Sequence, residues 1–310
     1  MNKYKSLQSS NIKNLFKISK KVKKTSKKKF IIFDMINCCF KYQSSFEDYL
    51  EFEFYSLTKE QRETYLTCGK NKKIIEMFNN KDYFHILNNK DEFNDYFKSY
   101  LNRDYLKPNP TKEEFYRFIK DKEKIIIKQL NDEKIADTKN INYDDIKEYL
   151  LEDVIIQNKK LSELYDKSIN SLQIFTFFDG KKAYLLQAIL KIGNDNFSNS
   201  KIYAFLDEKG TVATPAIDEN DNIFGIHPIS KKQILGFKVP MFNEAIELVL
   251  KASTEIPEIG YISWNIAITE NGPAIIEGNS CPDVFQIKPR FSKNKTGILP
   301  KYEKIMNIKL

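Results

Sequence analysis

The stretch YISWNIAITENGPAIIEGNSCPDVFQ, from Tyr261 to Gln286, decides the fold, because its alternation, turn residues and polar side chains agree on one structure. From Ile262 to Thr269 apolar residues alternate with small or polar ones, which predicts a half-buried strand. Asn271-Gly272 is a strong turn signal. Proline cannot donate a ladder hydrogen bond, so we expect Pro273 in the loop and the return strand from Ala274 to Asn279.

Three polar side chains of this hairpin form a candidate metal site. A three-residue loop would place position 265 opposite 279, so that Asn265, Glu277 and Asn279 share a face, whereas a two-residue loop would separate them. Carboxylate and amide oxygens at this spacing suit a hard cation such as Mg²⁺, which usually keeps water and phosphate oxygens as its other ligands. The alternative is a solvated polar face on an edge hairpin.

The segment WNIAITENGPAIIEGNS within this stretch resembles the C-terminal signature of the ATP-grasp superfamily. Within it, the motif W-D-[VI]-A-[IV]-T-x-x-G-P-x-[LI]-[IL]-E-G-N, often followed by a glutamine such as Gln286, is typical of the sugar-transfer-associated group found with surface-polysaccharide genes. The resemblance implies an α+β ATP-grasp fold, in which two α+β subdomains with antiparallel sheets enclose a nucleotide cleft, preceded by a helical N-terminal region. Asn265 stands where the family has its first metal-binding aspartate.

Length and composition indicate a protein of roughly two domain-sized units, with 310 residues, 41% hydrophobic and 30% charged. The sequence has no apolar run long enough for a spanning helix and no signal-peptide core, so a cytoplasmic protein is expected. With the resemblance, the predicted organisation is a basic lead-in at 1–29, a helical region at 30–110 and an ATP-grasp domain at 111–310. Its smaller lid subdomain is expected at about 111–160 and its larger subdomain at about 161–310.

The net charge of +8 originates in the N-terminal segment. Residues 1–29 contain eleven lysines and no acid, which leaves a net charge of −3 for the remainder of the chain. Such a block suits either peripheral attachment to an anionic membrane surface or a solubilising helical lead-in. Aromatic residues are not spaced around it as stacking platforms, so a nucleic acid is not the expected partner.

Outside the hairpin, the resemblance assigns residues that bind the nucleotide. Lys90 lies where related sequences have a lysine ahead of the first nucleotide-binding subdomain. Lys128 ends the apolar run KIIIK and matches the lysine of the family's I-x-K-P segment, and a lysine delivered by a buried strand to a cleft suits nucleotide phosphates. The family's adenine and ribose hinge corresponds to Glu152, Asp153, Val154 and Ile155. A surface lysine at position 90 and an ordinary core strand at the hinge are the alternatives.

The catalytic candidates are Lys128, Gln173 and Lys191, and two of them depart from the family's pattern. Gln173 replaces an arginine, whose charge a glutamine cannot supply, and Lys191 also replaces an arginine. Ser200-Lys201 stands where the family usually has a Gly-Gly pair. In place of the glycine-rich phosphate loop, residues 131–137 contain no glycine and three acids, which would repel a triphosphate.

The resemblance implies ATP and Mg²⁺ as cofactors, with Mn²⁺ as an alternative metal, and a carboxylate or a sugar-linked compound as substrate. The leading hypothesis is carboxylate–amine ligation through an acyl phosphate, in surface-polysaccharide or cell-envelope synthesis. The departures at the site positions favour a second hypothesis, a degenerate ATP-grasp domain that binds a nucleotide, a glycan or a partner without forming a bond. His227, which precedes a proline, is expected to be structural rather than to face the substrate.

Overall fold

The computed structural model describes four segments of the chain: 12–25, 30–128, 133–194 and 201–310. The chain divides into two compact units, Met1–Asn79 together with Cys281–Leu310, and Asn80–Ser280. The boundaries of the lead-in, helical region and two subdomains remain predictions. No helix of the described segments is both long and apolar enough to cross a bilayer.

Helices build the first unit and flank the sheets of the second. The first unit begins with α1 (Ile12–Thr25), α2 (Ile31–Tyr42), α3 (Phe46–Glu51), α4 (Lys59–Glu63) and α5 (Cys68–Phe78). The second unit contains α6 (Phe84–Asn88), α7 (Lys90–Tyr96), α8 (Lys112–Ile119), α9 (Tyr143–Ile146), α10 (Lys159–Ser162) and α11 (Phe242–Glu255). The chain then returns to the first unit and ends with α12 (Leu299–Met306).

The strands of the second unit form two antiparallel sheets. The smaller sheet comprises β1 (Tyr105–Leu106), β2 (Lys124–Lys128), β3 (Glu133–Asp137) and β4 (Leu150–Asp153), in the order β1-β4-β2-β3. The larger sheet comprises β5 (Ser171–Phe178), β6 (Ala183–Gly193), β7 (Lys201–Phe205), β8 (Ala216–Ile217), β9 (Ile223–Phe224), β10 (Tyr261–Thr269) and β11 (Gly272–Asn279). Its order is β11-β10-β5-β6-β7-β8-β9. Two antiparallel sheets and a helical N-terminal region confirm the predicted α+β class.

The main core lies between one face of the larger sheet and α11. Trp264 is fully buried there, and its indole Nε1 donates to Thr176 Oγ1 at 2.9 Å and to Ser253 Oγ of α11 at 3.1 Å. A buried indole N–H needs such a partner, since leaving it unpaired would cost free energy. Because side chains alternate along each strand, the opposite face of the sheet carries the residues between these core positions.

The smaller sheet packs one of its faces on α8 and α9. Ile125, Ile127 and Leu151 form a core with Phe115 of α8 and Ile146 of α9. The alternate residues of β2 and β4 therefore lie on the other face. Thr111 caps the start of α8: its Oγ1 accepts from the backbone N–H of Glu114, and the Glu114 carboxylate accepts from the N–H of Thr111.

The predicted hairpin is present, but its turn and register differ from the prediction. The turn is Glu270–Asn271, with Thr269 opposite Gly272, and Pro273 lies in β11 opposite Ile268. Proline is tolerated there because β11 is the edge strand of the sheet. Gly272 has φ +123°, a backbone conformation that side chains rarely adopt, which explains a glycine at the start of this strand.

A β-bulge restores the shared face that a two-residue turn would have destroyed. Opposite residues run from Asn265 with Glu277 directly to Ile266 with Ile275, so Ile276 is the extra residue. Asn265 thus lies opposite Glu277, and Asn279 lies opposite Ser263 instead of Asn265. The strand β10 is also buried on both faces rather than on one, since Ser263 is only 3% exposed on the polar side.

Candidate functional site

The polar face of the larger sheet brings the hairpin residues next to Gln173. Strand pairing places Asn265 of β10 opposite Glu277 of β11 on one side and opposite Gln173 of β5 on the other. Asn265 Nδ2 donates to Glu277 Oε1 at 3.3 Å, and the Gln173 amide lies 3.4 Å from Ser263 Oγ. Lys191 of β6 lies opposite Ser171, two residues from Gln173, and so shares this face. Four of the predicted site residues therefore lie on one surface.

Several buried oxygens on this face lack a hydrogen-bond partner among the described residues. They are Asn265 Oδ1, Gln173 Oε1, Ser171 Oγ and Gln187 Oε1. Ser171, Gln173 and Gln187 are between 1% and 8% exposed, so water reaches them poorly. Buried acceptors are normally paired, because an unpaired one costs free energy. A row of unpaired acceptors is chemically suited to a hydrogen-bond donor or a cation.

A divalent cation would depend on amide oxygens in this setting. Within the described segments no group of three or more His, Cys, Asp or Glu side chains is placed to hold a metal ion. Glu277 is exposed on the edge strand, and the unpaired Asn265 Oδ1 lies beside it, while Asn279 follows two residues further along the same face. This donor set of one carboxylate and two amides fits Mg²⁺ that keeps water or phosphate oxygens as other ligands.

The smaller sheet carries a buried charge cluster centred on Glu152. Glu152 Oε2 lies 2.8 Å from Arg103 Nε and 2.8 Å from Lys128 Nζ, and its Oε1 accepts from Asn94 Nδ2 at 2.7 Å. The side chains of Arg103, Lys128 and Glu152 are 2%, 8% and 1% exposed. Ile126 and Lys128 are two residues apart in β2 and so point to the same face, and Ile126 lies opposite Glu152 of β4. Lys128 and Glu152 therefore share the face away from α8 and α9.

This cluster carries a net charge of +1, since two cations face one carboxylate. Burial alone would raise the pKa of Glu152, but attraction to Lys128 and then to Arg103 prevails and lowers the pKa below its usual value. Arg103 Nη1 donates to the backbone oxygens of Ile275 at 2.6 Å and Leu101 at 3.2 Å, whereas Nη2 is buried without a partner among the described residues. An unpaired guanidinium N–H beside excess positive charge is suited to an anion.

Lys90, predicted to reach a phosphate, is the first residue of α7 and is partly exposed. It precedes Asn94 by four residues, so both lie on the same side of that helix. Because Asn94 donates to Glu152, α7 presents this side to the charge cluster. Asn89 caps the start of this helix, because its side chain accepts from the N–H groups of Asp91 and Glu92.

Lys201 connects the two polar faces electrostatically. It lies in β7 of the larger sheet, and burial lowers its pKa, although attraction to Glu277 of β11 and to Glu133 of β3 partly opposes this effect. The lysine that replaces a family glycine therefore adds a partly buried cation that interacts electrostatically with Glu277, the predicted metal ligand. Together with Asn265 in place of an aspartate, it makes this end of the site more positive than the family's pattern.

The four predicted hinge residues, Glu152 to Ile155, lie in different environments. Glu152 lies within the charge cluster, where both oxygens of its carboxylate accept from protein donors. Asp153 lies on the opposite face of β4, and its carboxylate accepts from the backbone N–H of Asp104 at 3.0 Å and lies 2.9 Å from Lys122 Nζ. Val154 and Ile155 follow the strand and are partly exposed.

A buried network behind the site holds the segment after the hinge. The Asn170 side chain donates to Gln157 Oε1 at 3.0 Å and accepts from the backbone N–H of Gly193 at 3.1 Å. His227 is fully buried, with Nε2 2.6 Å from the oxygen of Gly193, while its Nδ1 accepts from the N–H of Ser230 at 3.1 Å. Both ring nitrogens are thus used by the protein, as expected for a structural histidine.

Sequence reasoning missed Arg103 and Asn94 as site residues. The signal for Arg103 was its position in Arg103-Asp104-Tyr105-Leu106, two residues before β1 begins, but the acid that it pairs with lies 49 residues further along the chain. A pairing over that distance cannot be read from spacing. Asn94 carried no signal of its own.

The replaced phosphate loop is shorter than the sequence indicated. Of its seven residues, 133–137 form β3, and Glu133 lies opposite Lys128. The connection is therefore 129–132, and those four residues lie outside the described segments, as do Asp195 to Ser200. Glu133 and Asp137 therefore belong to a strand rather than to the loop, and Glu133 lies beside Lys128 across the strand pair.

Comparisons with known proteins identify the family. The family model described as sugar-transfer associated ATP-grasp matches residues 141–307, more than half of the chain. No curated protein matches. Among solved structures, the ATP-grasp ligase PsnB complexed with a minimal precursor is similar, with 9% identity, 75% of this chain and 59% of that chain covered, and a TM-score of 0.42.

Another similar structure is the D-alanine–D-alanine ligase from Bacillus anthracis complexed with ATP, with 11% identity, 64% of this chain and 54% of that chain covered, and a TM-score of 0.37. The chain thus spans less than two thirds of the length of these ligases. The assignment rests on the family model, whose match includes β5 to β11 and the hairpin with Asn265 and Glu277. The chain belongs to the sugar-transfer-associated ATP-grasp family.

Proposed function

We propose that this protein is a Mg²⁺-ATP-dependent carboxylate–amine ligase. In that reaction a carboxylate takes the terminal phosphoryl group of ATP, and an amine then attacks the acyl phosphate, which yields an amide, ADP and phosphate. The observation that carries the proposal is the buried cluster of Arg103, Lys128 and Glu152, with its net positive charge and its unpaired guanidinium N–H. Such a site is prepared for an anion before any ligand binds.

Lys128 and Arg103 would bind phosphate oxygens of the nucleotide. Their charges are costly to bury, and Glu152 offsets only one of them. A polyphosphate would neutralise the other and would accept from Arg103 Nη2. Glu152 would act by positioning both cations rather than by contacting adenine, because its oxygens are occupied by protein donors.

Glu277, with the amide oxygens of Asn265 and Asn279, would hold Mg²⁺, which neutralises phosphate oxygens during phosphoryl transfer. Mn²⁺ is the expected substitute, since it accepts the same oxygen ligands. An amide in place of the family's aspartate removes one negative charge, so we expect weaker metal binding than an Asp–Glu–Asn set would give.

Gln173 would contact the substrate instead of an acyl phosphate. Its Oε1 is a buried acceptor without a partner among the described residues, and Ser171 Oγ lies two residues away on the same face. Acceptors suit a donor-rich group such as an amine or a sugar hydroxyl. A sugar-linked substrate agrees with the family's association with sugar transfer, and we place the reaction in surface-polysaccharide or cell-envelope synthesis in the cytoplasm.

The test is ATP turnover by the full chain with a panel of carboxylates and with hydroxylamine as a small amine acceptor. We expect ADP formation that requires Mg²⁺ and falls about 100-fold or more in Glu277→Ala. The variant should unfold at the same urea concentration as the wild type, because Glu277 is exposed on an edge strand. Glu219→Ala, another exposed acid of the second unit, is the matched control and should keep its turnover.

Equal turnover in Glu277→Ala and the wild type would overturn the assignment of the metal site. A wild-type chain that binds Mg²⁺-ATP but forms no ADP with any member of the panel would favour the degenerate binding domain. That outcome would be consistent with uncharged Gln173 and Asn265 at positions where the family has an arginine and an aspartate.

A further inference from the structure

One face of helix α2 is buried in the core of the first unit. Ile31, Met35, Cys38 and Tyr42 are at most 2% exposed and pack with α1 and α3 in one core. Their spacing of four, three and four residues is that of a single helix face. The core of the first unit therefore needs nothing from the opposite face of α2.

The opposite face is apolar as well, although it is exposed. Phe30, Phe33, Ile36 and Phe40 are 83%, 76%, 39% and 84% exposed. Phe33, Ile36 and Phe40 are spaced three and four residues apart and so align on one side of α2, and Phe30 directly precedes the helix; we name these four residues the α2 aromatic face. Single exposed apolar residues are ordinary, but three aligned ones on a short helix, with a fourth directly before it, indicate a surface that contacts something else.

The charges near α2 are of both signs: Lys41 pairs with Glu63 at 3.2 Å, and Asp48 and Glu47 of α3 act electrostatically on Cys39. Asp34 is the acid of α2, and it is neutralised by Arg62, whose guanidinium nitrogens lie 2.8 and 2.9 Å from its two carboxylate oxygens. Helix α1 packs against α2 through Ile18 and Val22. Of the described side chains of α1, Lys17, Lys20 and Lys21 are exposed.

We propose that the α2 aromatic face and the lysines of α1 together form a docking surface for an anionic phospholipid membrane. Aromatic side chains on one helix face, next to a lysine-rich helix, are the composition of interfacial membrane contacts, in which the rings enter the headgroup region and the lysines bind lipid phosphates. Lys17, Lys20 and Lys21, in a segment whose sequence contains no acid, supply the charge complementarity.

The same charges argue against a second copy of the chain as the occupant. A symmetric dimer through the α2 aromatic face would bring two lysine-rich segments together, and their repulsion would oppose association. A nucleic acid would neutralise the lysines, but the phenylalanines of the α2 aromatic face are not arranged to stack on its bases or to contact base edges. A lipid surface is the partner that satisfies both the charge and the apolar area.

The experiment is co-sedimentation of the full chain with vesicles of phosphatidylcholine alone or with phosphatidylglycerol added. We expect binding to the anionic vesicles only, weakened by high salt. Lys17→Gln with Lys20→Gln and Lys21→Gln should weaken binding by about fivefold per lysine. Phe33→Ser with Phe40→Ser should weaken it by about tenfold or more.

Tyr116→Ser is the matched control, since Tyr116 is 57% exposed on α8 in the second unit and should have no effect. All the replaced side chains are exposed, so the variants should fold. Phe40→Trp provides an independent readout: its emission should shift to the blue with anionic vesicles, whereas Trp264, the single native tryptophan, is buried and should stay constant.

Three results would overturn the proposal. One is the absence of binding to anionic vesicles, and another is binding that the phenylalanine substitutions leave unchanged, which would reduce it to charge attraction by the lysines. The third is concentration-dependent dimerisation, or duplex DNA binding, that the phenylalanine substitutions abolish while vesicle binding is absent or unaffected by them.

Discussion

The buried charge cluster gives the sharpest prediction, through the substitution Glu152→Gln. The change removes the single acid that faces Arg103 and Lys128, whose side chains are 2% and 8% exposed, and it raises the net charge of the cluster from +1 to +2. Removing one partner of a buried ion pair typically costs about 3–5 kcal/mol, because the remaining charge is left uncompensated. We therefore expect the second unit to lose about that free energy of unfolding, a large part of a typical stability of about 5–15 kcal/mol.

Lys128→Met is the informative comparison. It leaves Arg103 paired with Glu152 and makes the cluster neutral, so its cost should be smaller, about 1–3 kcal/mol for a lost charged hydrogen bond. The assay is urea unfolding followed by the fluorescence of Trp264, which lies in the core of the second unit. If Glu152→Gln unfolds within about 1 kcal/mol of the wild type, or if Lys128→Met costs more, the electrostatic reasoning fails.

The same pair of proteins predicts a pH dependence. The pKa of Glu152 is lowered in the folded chain, so its contribution to stability is present above the unfolded value of 4.5 and is lost as the pH falls through the folded pKa. The difference in unfolding free energy between the wild type and Glu152→Gln should therefore shrink in acid, below pH 4.5. A difference that stays constant down to the acid transition would contradict the ion-pair explanation.

Two further predictions concern the network behind the site. Burial lowers the pKa of His227 below 6.5, so the unfolded chain binds a proton at a pH where the folded chain does not. Stability should therefore fall below pH 6.5, with a slope of at most about 1.4 kcal/mol per pH unit. Urea titrations should show that His227→Gln lacks this slope, and an unchanged slope would refute the explanation. Gly193→Ala should cost about 1–3 kcal/mol in the same assay, because its Cβ would lie 2.3 Å from Ser168 Oγ and 2.4 Å from Tyr165 Cδ1, whereas Gly225→Ala meets nothing within 4 Å and should be tolerated.

The hairpin shows how far periodicity carries and where it stops. Alternation along β10 correctly separates Trp264 and Ile266 from Asn265, because the sheet buries a continuous apolar face. The register could not be predicted, since it depends on the bulge at Ile276 and on a two-residue turn that compensate each other. Ile275 and Glu277 are two residues apart yet lie on opposite faces, which contradicts simple alternation.

The charge cluster shows the complementary limit. Lys128 could be predicted as a buried lysine at a strand end, because KIIIK is apolar and short. The role of Glu152 could not, since its pairing with Arg103 depends on β1 lying beside β4. Long-range pairing of this kind is fixed by sheet topology, which local sequence does not encode.

Binding of Mg²⁺-ATP tests the central claim most directly, and calorimetric titration of the full chain with ATP, in the presence and absence of Mg²⁺, measures it. We predict saturable binding that Mg²⁺ strengthens and that Lys128→Met weakens by about tenfold or more, since a charged hydrogen bond to phosphate is lost. An absence of binding at millimolar ATP, or equal affinity in Lys128→Met and the wild type, would contradict the assignment of this cluster as the phosphate site.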